Sequence, residues 1–461
     1  MIPEMLDPVE FLSNYIACGS VSADTKYKEQ VLKSHNFIAG VLKKLDFKIE
    51  SCKTNCYPII LAKRHPNPDW PTILIYGHYD VQPADPFEKW ISPPFSPKIK
   101  NNRIYGRGAS DNKGSQVVHI CALEQALISD PNLPLNITYL IEGEEEIGSP
   151  SFTTFLENYQ KDLRGEFVLV SDTAIPSSNQ LVITTGLRGL VILEITLKGP
   201  AFDLHSGVHG GAIRNPIQAL CDLLSKLHDE SGRILIDGFY DQVAIPSKWE
   251  RQAMNSLQKD LENYQKFLDV PDFFSEKPYH PQEAIRFRPT LEINGIRGGY
   301  QGEGFKTVIP SKASAKISCR LVPNQDFKDI QKKIIDHLSK NCPKGTTLTI
   351  SSKDGGDPYA IIPGNKTDSD QSQNSLLKQA FNIAEQEISI HFKNPPLFLR
   401  EGGSVPIIAD LKKILGLDCL MVGLTDLEDK IHSPNESFSI PFMKKGIKLF
   451  KAFFLRLAYQ K

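Results

Sequence analysis

The chain has 461 residues, of which 40% are hydrophobic, so it is longer than one hydrophobic core usually supports and two domains are expected. Its 53 Lys and Arg residues balance its 54 Asp and Glu residues, which excludes the strong positive field of proteins that bind nucleic acid or anionic membranes. We therefore expect a small, locally recognised substrate as the partner, with neither nucleic acid nor membrane.

The N-terminal segment and the cysteines indicate the cellular compartment. Residues 1–7 lack the basic and apolar regions of a signal peptide, and the chain contains no run of about 18 apolar residues. The eight cysteines lack the paired spacing of a zinc ribbon, so we expect reduced, mostly buried thiols. These features predict a cytoplasmic protein.

Helical and strand patterns alternate over the first part of the chain. Apolar residues recur at helical spacing in 27–42 and 115–127. Residues 73–76, 137–141 and 167–170 are short apolar runs typical of buried strands. This alternation predicts a mostly parallel sheet covered by helices.

Polar side chains follow each of these three strands. The first is followed by His78 and Asp80, the second by Glu144, Glu145 and Glu146, and the third by Asp172. Sites in open α/β sheets form at the carboxyl ends of the strands, so these side chains are expected to converge. Because His78 and Asp80 are two residues apart, they point the same way in an extended segment, and Asp80 can fix the tautomer of a metal-bound imidazole.

The pattern changes after residue 189 to that of a sheet with one solvated face. Residues 193–198 alternate with period two, and further strands are predicted at 290–294, 315–321 and 346–350. Helices are predicted after Asn215 and at 328–338. The order β-α-β-β-α-β is that of a ferredoxin-like unit, with residues 232–288 as an insertion in it.

The first pattern resumes after residue 398. Residues 419–422 are another buried-strand run, and a polar loop at 431–436 precedes a terminal helix at about 441–458. We therefore assign 1–186 and 399–461 to a catalytic domain and 187–398 to an inserted domain. The predicted fold class is α/β, a mostly parallel mixed sheet flanked by helices, with an inserted ferredoxin-like α+β domain.

The loops of this fold carry many candidate metal ligands. They are His78, Asp80, Asp111, Glu144, Glu145, Glu146, Asp172, His205 and His432. Carboxylates crowded into one cleft raise each other's pKa unless cations compensate, which favours a site for two metal ions. Imidazole and carboxylate ligands without thiolate suit zinc, manganese or cobalt in an open, hydrolytic site.

Eight short segments, spread over nearly the whole chain, carry a resemblance to a known family. They are 77–83 (GHYDVQP), 105–114 (YGRGASDNKG), 142–148 (EGEEEIG), 203–207 (DLHSG), 306–310 (KTVIP), 320–323 (RLVP), 400–404 (REGGS) and 432–436 (HSPNE). With these motifs, in the family's order, the chain resembles the di-metal peptidases of the cytosolic non-specific dipeptidase and carnosinase group. Aminoacylase and succinyl-diaminopimelate desuccinylase are more distant relatives of that group.

The resemblance implies two divalent ions per subunit, zinc or manganese with cobalt as a further option. One ion would be bound by His78, Asp111 and Asp172, and the other by Asp111, Glu146 and His432, with Asp111 bridging. Glu145 would act as the general base, and Asp80 would orient His78. The resemblance also implies a cis peptide bond between Asp111 and Asn112.

Two positions depart from the family pattern. Asn112 stands where these dipeptidases usually have a second aspartate, and Glu144 stands where an apolar residue usually precedes the glutamate pair. Aligning the two flanking glycines of the 142–148 segment places the base at Glu145 and the ligand at Glu146. A shift by one residue would give these roles to Glu144 and Glu145.

The resemblance further assigns substrate contacts to His205, Thr307, Arg320, Gly403 and Ser404. Arg320 alternates with the apolar residues of its strand, and its forked guanidinium suits a substrate carboxylate. In the resembled family the inserted domain is a lid and dimerisation domain, and a lid histidine, here His205, reaches the partner's site. We therefore expect a homodimer joined through the inserted domains.

Together these features predict a metal-dependent hydrolase that cleaves the peptide bond of dipeptides. Glu145 would take a proton from the attacking water and pass it to the leaving amine. A deacylase of N-acyl amino acids is the first alternative, because its substrates also present an amide and a carboxylate. A catalytically inactive peptide-binding protein is the second, and the presence of every expected ligand and of the base disfavours it.

Overall fold

The computed structural model describes residues 5–258, 261–352, 355–364 and 375–460, and the chain divides into two compact units. Unit 1 comprises Met1–Thr185, Ile361–Leu399 and Asp410–Lys461. Unit 2 comprises Gly186–Ala360 and Arg400–Ala409.

The described residues form the following α-helices and β-strands. The helices are α1 (Pro8–Ile16), α2 (Lys28–Lys44), α3 (Lys113–Ser129), α4 (Phe152–Tyr159), α5 (Ser206–His209), α6 (Pro216–Leu224), α7 (Lys248–Gln258), α8 (Leu261–Leu268), α9 (Pro281–Phe287), α10 (Phe327–Lys340), α11 (Ser375–Phe392), α12 (Pro406–Leu415) and α13 (Ile440–Ala458). The strands are β1 (Lys48–Cys52), β2 (Ile59–Arg64), β3 (Thr72–His78), β4 (Lys98–Lys100), β5 (Arg103–Tyr105), β6 (Asn136–Glu142), β7 (Phe167–Val170), β8 (Ala174–Ile175), β9 (Val182–Leu187), β10 (Gly189–Lys198), β11 (Leu204–His205), β12 (Thr290–Gly298), β13 (Val308–Ile309), β14 (Lys312–Leu321), β15 (Thr347–Ser352), β16 (Tyr359–Ala360), β17 (Leu397–Arg400), β18 (Cys419–Val422), β19 (Thr425–Asp426) and β20 (Ser437–Ser439). Within the described segments, no helix combines the length and apolarity needed to cross a bilayer.

Unit 1 is built on a mixed sheet in the order β1-β2-β6-β3-β7-β18-β9. Its centre is parallel, because β3 pairs in parallel with both β6 and β7, and β18 pairs in parallel with β7. The strands β1, β2 and β9 add antiparallel pairs at the two sides. The predicted mixed sheet flanked by helices is thus confirmed, and of the six neighbouring pairs in this order three are parallel and three are antiparallel.

The apolar runs of the sequence form the centre of this sheet. Nearly every residue of β3, β6 and β7 is buried, as expected for parallel strands covered by helices on both faces. The covering helices α3 and α13 pack against each other. Helix α13 begins at the predicted place, because Ser439 caps its N-terminus by accepting a hydrogen bond from the backbone N–H of Phe442.

Unit 2 contains a four-stranded antiparallel sheet in the order β12-β14-β10-β15. Helices α6 and α10 pack on it, and the chain order β10-α6-β12-β14-α10-β15 is the predicted ferredoxin-like order. Val191, Leu193, Ile195 and Leu197 of β10 enter the core, while the residues between them are less buried. The period-two pattern of the sequence therefore corresponds to one core-facing side of this sheet.

The second boundary of unit 2 differs from the division made from the sequence. The sequence pattern assigned residues up to 398 to the inserted domain, whereas Ile361–Leu399 belongs to unit 1 and Arg400–Ala409 to unit 2. Helix α11 packs against α13, and Arg456 of α13 forms an ion pair with Glu387 of α11 at 2.5 Å. The periodicity of α11 predicts a buried face but does not say which core that face joins, so the boundary could not be read from it.

Candidate metal centre

Three neighbouring strands of unit 1 bring the polar segments together at one edge of the sheet. Strand β3 lies between β6 and β7, and the three run in the same direction. His78 ends β3, the segment with the three glutamates follows β6, and Asp172 follows β7. The carboxyl ends of adjacent parallel strands therefore place these residues side by side.

His78 is fully buried and has a different neighbour at each ring nitrogen. Its Nδ1 lies 3.1 Å from the backbone oxygen of Asp80 and 3.3 Å from the carboxylate Oδ1 of Asp80. Its Nε2 lies 3.2 Å from Oδ1 of Asp111. Gly77 permits this packing, because a Cβ there would come within 2.8 Å of the side chain of Gln116. Two oxygens of Asp80 thus lie on the Nδ1 side of His78, and the role of Asp80 in orienting this imidazole stays a prediction.

Asp111 lies between two histidines and presents one carboxylate oxygen to each. Its Oδ1 is 3.2 Å from Nε2 of His78, and its Oδ2 is 2.9 Å from Nε2 of His432. Burial raises the pKa of Asp111, but hydrogen bonds with His432 and His78 outweigh burial and hold this pKa below its usual range. The peptide bond between Asp111 and Asn112 is cis, which confirms the expectation from the family resemblance.

The loop that carries Asp111 is held by Glu436. The buried Glu436 carboxylate accepts hydrogen bonds from the backbone N–H groups of Gly108, Ser110 and Asp111 at 2.8, 2.9 and 3.1 Å. The guanidinium of Arg107 pairs with the same carboxylate at 2.6 Å. This network fixes the backbone on the N-terminal side of Asp111.

The side chains of the three consecutive glutamates lie in different surroundings. Glu144 is buried and accepts hydrogen bonds from the backbone N–H of Tyr57 at 2.8 Å and from the hydroxyl of Thr54 at 2.7 Å. Oε2 of Glu146 lies 3.4 Å from Nε2 of His432, and Oε2 of Glu145 lies 4.0 Å from Nε2 of His78. Glu145 and Glu146 therefore face the histidines, while Glu144 is engaged by the backbone elsewhere.

Asp172 completes the group of carboxylates. Its Oδ2 lies 3.7 Å from Nε2 of His78, and its Oδ1 accepts a hydrogen bond from the side-chain amide of Asn112 at 3.0 Å. Burial, opposed by His78 and reinforced by the Asp111 charge, raises the pKa of Asp172 to about 6. An aspartate at position 112 would add a further negative charge beside Asp172, whereas Asn112 donates a hydrogen bond.

The crowded charges make this cluster suitable for cations. One ligand atom each from His78, Asp111 and Glu146 lies within 4.8 Å of the others. Burial raises the pKa of Glu145 and of Glu146 well above the usual range, and in each case neighbouring carboxylates raise it further. Divalent cations would remove this repulsion, and imidazole and carboxylate donors fit zinc, manganese or cobalt.

The residues predicted to contact substrate lie in unit 2, in two groups. In the first, Nη1 of Arg320 donates a hydrogen bond to the hydroxyl of Ser404 at 2.7 Å, next to Gly403. In the second, His205 on β11 pairs with Val308 on β13. The backbone N–H of Ser206 donates a hydrogen bond to the backbone oxygen of Thr307 at 3.1 Å. The imidazole of His205 is exposed and is not part of a buried network.

Three residues that support these groups were not identified from the sequence. Gln82 donates hydrogen bonds from its backbone and its side chain to the Glu146 carboxylate at 3.2 and 2.8 Å. Glu436 holds the Asp111 loop, and Arg188 contacts the loop that contains Gly403. Gln82 and Glu436 lie inside the matched segments 77–83 and 432–436, and that position was the signal that could have found them. Arg188 lies between strands β9 and β10, where the sequence shows only the change from apolar runs to alternating apolar and polar residues.

Comparisons with known proteins identify similar chains over the full length. Cys-Gly metallodipeptidase dug1 of Schizosaccharomyces pombe is 30% identical to the chain, and the match covers 97% of the chain and 94% of that relative. The human Beta-Ala-His dipeptidase is 30% identical, with 98% and 90% covered. The crystal structure of Sso-CP2, an M20 family metallo-carboxypeptidase from Sulfolobus solfataricus, superposes with a TM-score of 0.86 at 30% identity over 99% of this chain and 100% of that one.

The sequence profile described as peptidase family M20/M25/M40 matches residues 74–456. This range runs from the strand that ends at His78 to the terminal helix, and it includes every residue of the metal cluster. The profile, the full-length relatives and the arrangement of imidazoles and carboxylates lead to one conclusion: the chain belongs to the M20/M25/M40 peptidase family.

Proposed function

We propose that this protein is a metal-dependent dipeptidase. The observation that carries the proposal is the position of Asp111, which directs one carboxylate oxygen to His78 and the other to His432. A carboxylate placed in this way could be shared by two metal ions held side by side, which is the arrangement of two-metal hydrolases. The full-length likeness to relatives named as dipeptidases supports peptide-bond hydrolysis as the reaction.

The proposal assigns two sets of ligands that share one carboxylate. His78, Asp111 and Asp172 would hold one divalent ion, and Asp111, Glu146 and His432 the other. When bound, such ions act as Lewis acids on the peptide carbonyl and lower the pKa of the attacking water. Zinc and manganese are the favoured ions, with cobalt as a further option, and elemental analysis of the purified protein identifies the native one.

Within this site Glu145 is assigned the general base. Its carboxylate lies beside the cluster, 4.0 Å from the His78 imidazole, and Glu146 makes the contact with the second histidine. Glu145 takes a proton from the attacking water and passes it to the nitrogen of the leaving amine. Asp80, at 3.3 Å from Nδ1 of His78, keeps that imidazole oriented with Nε2 toward the cluster.

The substrate is proposed to be a short peptide with a free carboxylate. The guanidinium of Arg320 is assigned to that carboxylate, supported by Ser404, Gly403, Thr307 and His205. The relatives are named for the dipeptides Cys-Gly and Beta-Ala-His, so these two are the first substrates to test. The order of preference among side chains is left to measurement.

The substrate class is tested with a panel of Cys-Gly, β-Ala-His, a matching tripeptide and N-acetyl amino acids. We expect the dipeptides to give the highest kcat/KM, at least about tenfold above that of the N-acetyl amino acids. The reason is that N-acetyl amino acids lack the charged amino group of a dipeptide and the hydrogen bonds that this group can donate. Steady-state hydrolysis of each compound by the metal-loaded protein provides the measurement. A preference for N-acetyl amino acids would instead identify a deacylase, and binding without turnover would identify an inactive peptide-binding protein.

We further propose that the protein is a homodimer joined through unit 2, in which His205 of one subunit serves the site of its partner. The support is the exposed position of His205 within the segment 203–207. Mixing two inactive variants, His205→Ala and Glu145→Gln, under conditions of subunit exchange is expected to restore activity. A mixed dimer would contain one site with both defects and one with neither.

The mixing experiment has a direct control in each variant mixed with itself. Neither homogeneous sample should regain activity, while the mixture should approach one quarter of the wild-type rate at equal amounts, since half of the dimers are mixed and each has one intact site. Native mass spectrometry checks that exchange has occurred. Proven exchange without recovery would mean that His205 acts within its own chain or has no role.

The proposed location is the cytoplasm. None of the eight cysteines, all of which lie in the described part of the chain, forms a disulfide, and those at 18, 52, 121, 319 and 419 are buried. Unpaired thiols are typical of reducing compartments. Cell fractionation with an antibody against the protein tests this assignment.

A further inference from the structure

Two arginines lie close together at the start of the unit 2 sheet. Arg188 directly precedes β10, and Arg320 on β14 is paired with Leu190, two residues further along β10. Burial, and then the positive charge of Arg320, lower the pKa of Arg188 to about 10, although Cys319 and Glu292 act in the opposite direction. The two guanidinium groups are therefore near enough to disfavour each other's charge.

This half-buried arginine pair lacks the carboxylate that accompanies two other arginines of unit 2, the buried Arg288 and the half-buried Arg400. Arg288 is paired with Glu276 at 2.8 Å, and Arg400 with Glu250 at 2.6 Å. Among the residues that the structure describes, no carboxylate lies within ion-pair distance of Arg188 or Arg320. Desolvating a cation without a partner is costly even at a half-buried position, so a local excess of positive charge of this kind is typical of an anion-binding site.

The loop 402–404 is held against both arginines. Nε of Arg188 donates a hydrogen bond to the backbone oxygen of Gly402 at 2.7 Å, and Nη1 of Arg320 donates one to the Ser404 hydroxyl at 2.7 Å. Gly402 has to be glycine, because a Cβ there would lie 2.9 Å from the backbone oxygen of Ile285. Nη1 of Arg188 is left buried and without a hydrogen-bond partner within the described chain. This donor is free for a ligand.

We propose that Arg188 is a second ligand of the substrate carboxylate, which it shares with Arg320. The inference rests on the proposed peptidase function and extends it, because the sequence resemblance assigned that carboxylate to Arg320 alone. A carboxylate shared by two guanidiniums would accept the free Nη1 donor of Arg188 and would reduce the repulsion between the two cations. The site would thus select peptides with a free C-terminal carboxylate.

The test compares Cys-Gly with its C-terminal amide as substrates of Arg188→Gln, Arg188→Lys and wild-type protein. Loss of a charged hydrogen bond is expected to raise the KM of Arg188→Gln for Cys-Gly about tenfold or more, with a smaller change in kcat. The KM for the amide should change little, because the amide carries no negative charge. Arg188→Lys keeps the charge and is expected to recover part of the affinity for Cys-Gly.

Arg188 could instead act only through the Gly402 contact, and the same data separate the two roles. A purely supporting role would affect Cys-Gly and its amide equally and would make Arg188→Lys as defective as Arg188→Gln, which would overturn the proposal. Arg233→Gln is the matched control, because Arg233 is a half-exposed arginine of unit 2 whose carboxylate partner is Glu276. Thermal unfolding of each variant confirms that it is folded before the kinetics are compared.

A binding measurement keeps this inference separate from the proposed function. Calorimetric titration of metal-loaded Glu145→Gln protein with Cys-Gly measures affinity without turnover. Adding Arg188→Gln in this background is expected to weaken binding about tenfold or more, and unchanged binding would refute the role of Arg188. If wild-type protein hydrolyses no dipeptide but binding still depends on Arg188, the proposed function fails while the carboxylate site stands.

Discussion

Replacing Glu145 by glutamine is expected to lower turnover about a hundredfold to ten-thousandfold, the usual range for the loss of a positioned general base. Glutamine keeps the size of the side chain but cannot accept the proton of the attacking water at neutral pH. The assigned metal ligands are unchanged in this variant, so elemental analysis should find the same metal content as in the wild type. The effect should appear mainly in kcat, because the base acts on the reacting atoms.

Glu144→Gln provides a matched control, because it makes the same chemical change one residue earlier. The Glu144 carboxylate accepts hydrogen bonds from the backbone N–H groups of Tyr57 and Ser151, and an amide cannot accept both as well. We expect a loss of stability of about 1–3 kcal/mol, with turnover per folded molecule close to that of the wild type. Activity in Glu145→Gln together with inactivity in Glu144→Gln would show that the base has been assigned one residue too late.

Removing divalent metal by prolonged chelation is expected to abolish hydrolysis. The proposed reaction needs Lewis-acid activation of the carbonyl and of water, and the remaining carboxylates offer no substitute for it. Adding zinc, manganese or cobalt should restore activity. The melting temperature should also rise on metal addition, because a ligand that binds only the folded state stabilises it and relieves the repulsion among Asp111, Glu146 and Asp172.

Calcium serves as a control ion in the same experiment. It prefers six to eight oxygen ligands, so a cluster with two imidazoles should bind it weakly and show little recovery. Metal content has to be measured on the chelated sample before the assay. Full activity in protein shown to be free of metal would refute the mechanism, and restored activity without a rise in melting temperature would contradict the proposed binding to the cluster.

The sequence by itself determined the two sheets and the positions of the polar side chains at the strand ends. Apolar runs such as 73–76 became buried parallel strands, and the alternation in 193–198 became a strand with one core-facing side. Both outcomes follow from local spacing, because side chains alternate along any strand and strands covered on two faces are apolar throughout. The same spacing placed His78, the glutamates and Asp172 at strand ends, which the sheet order then made neighbours, and the motif resemblance correctly predicted the cis bond after Asp111.

The tertiary structure alone decided where side chains of irregular segments point and which distant segments they meet. The flanking glycines only favoured one register for the three consecutive glutamates, whereas the hydrogen bonds from Thr54, Tyr57 and Ser151 hold the Glu144 carboxylate away from the histidines. Helix α11 shows a buried face in its sequence, but its packing against α13 decides that it belongs to unit 1. Glu436 and Arg188 gain their partners across hundreds of residues, as in the bonds from Glu436 to the Asp111 loop and from Arg188 to Gly402. Local spacing carries no information about such contacts, because they form only when the whole chain has folded.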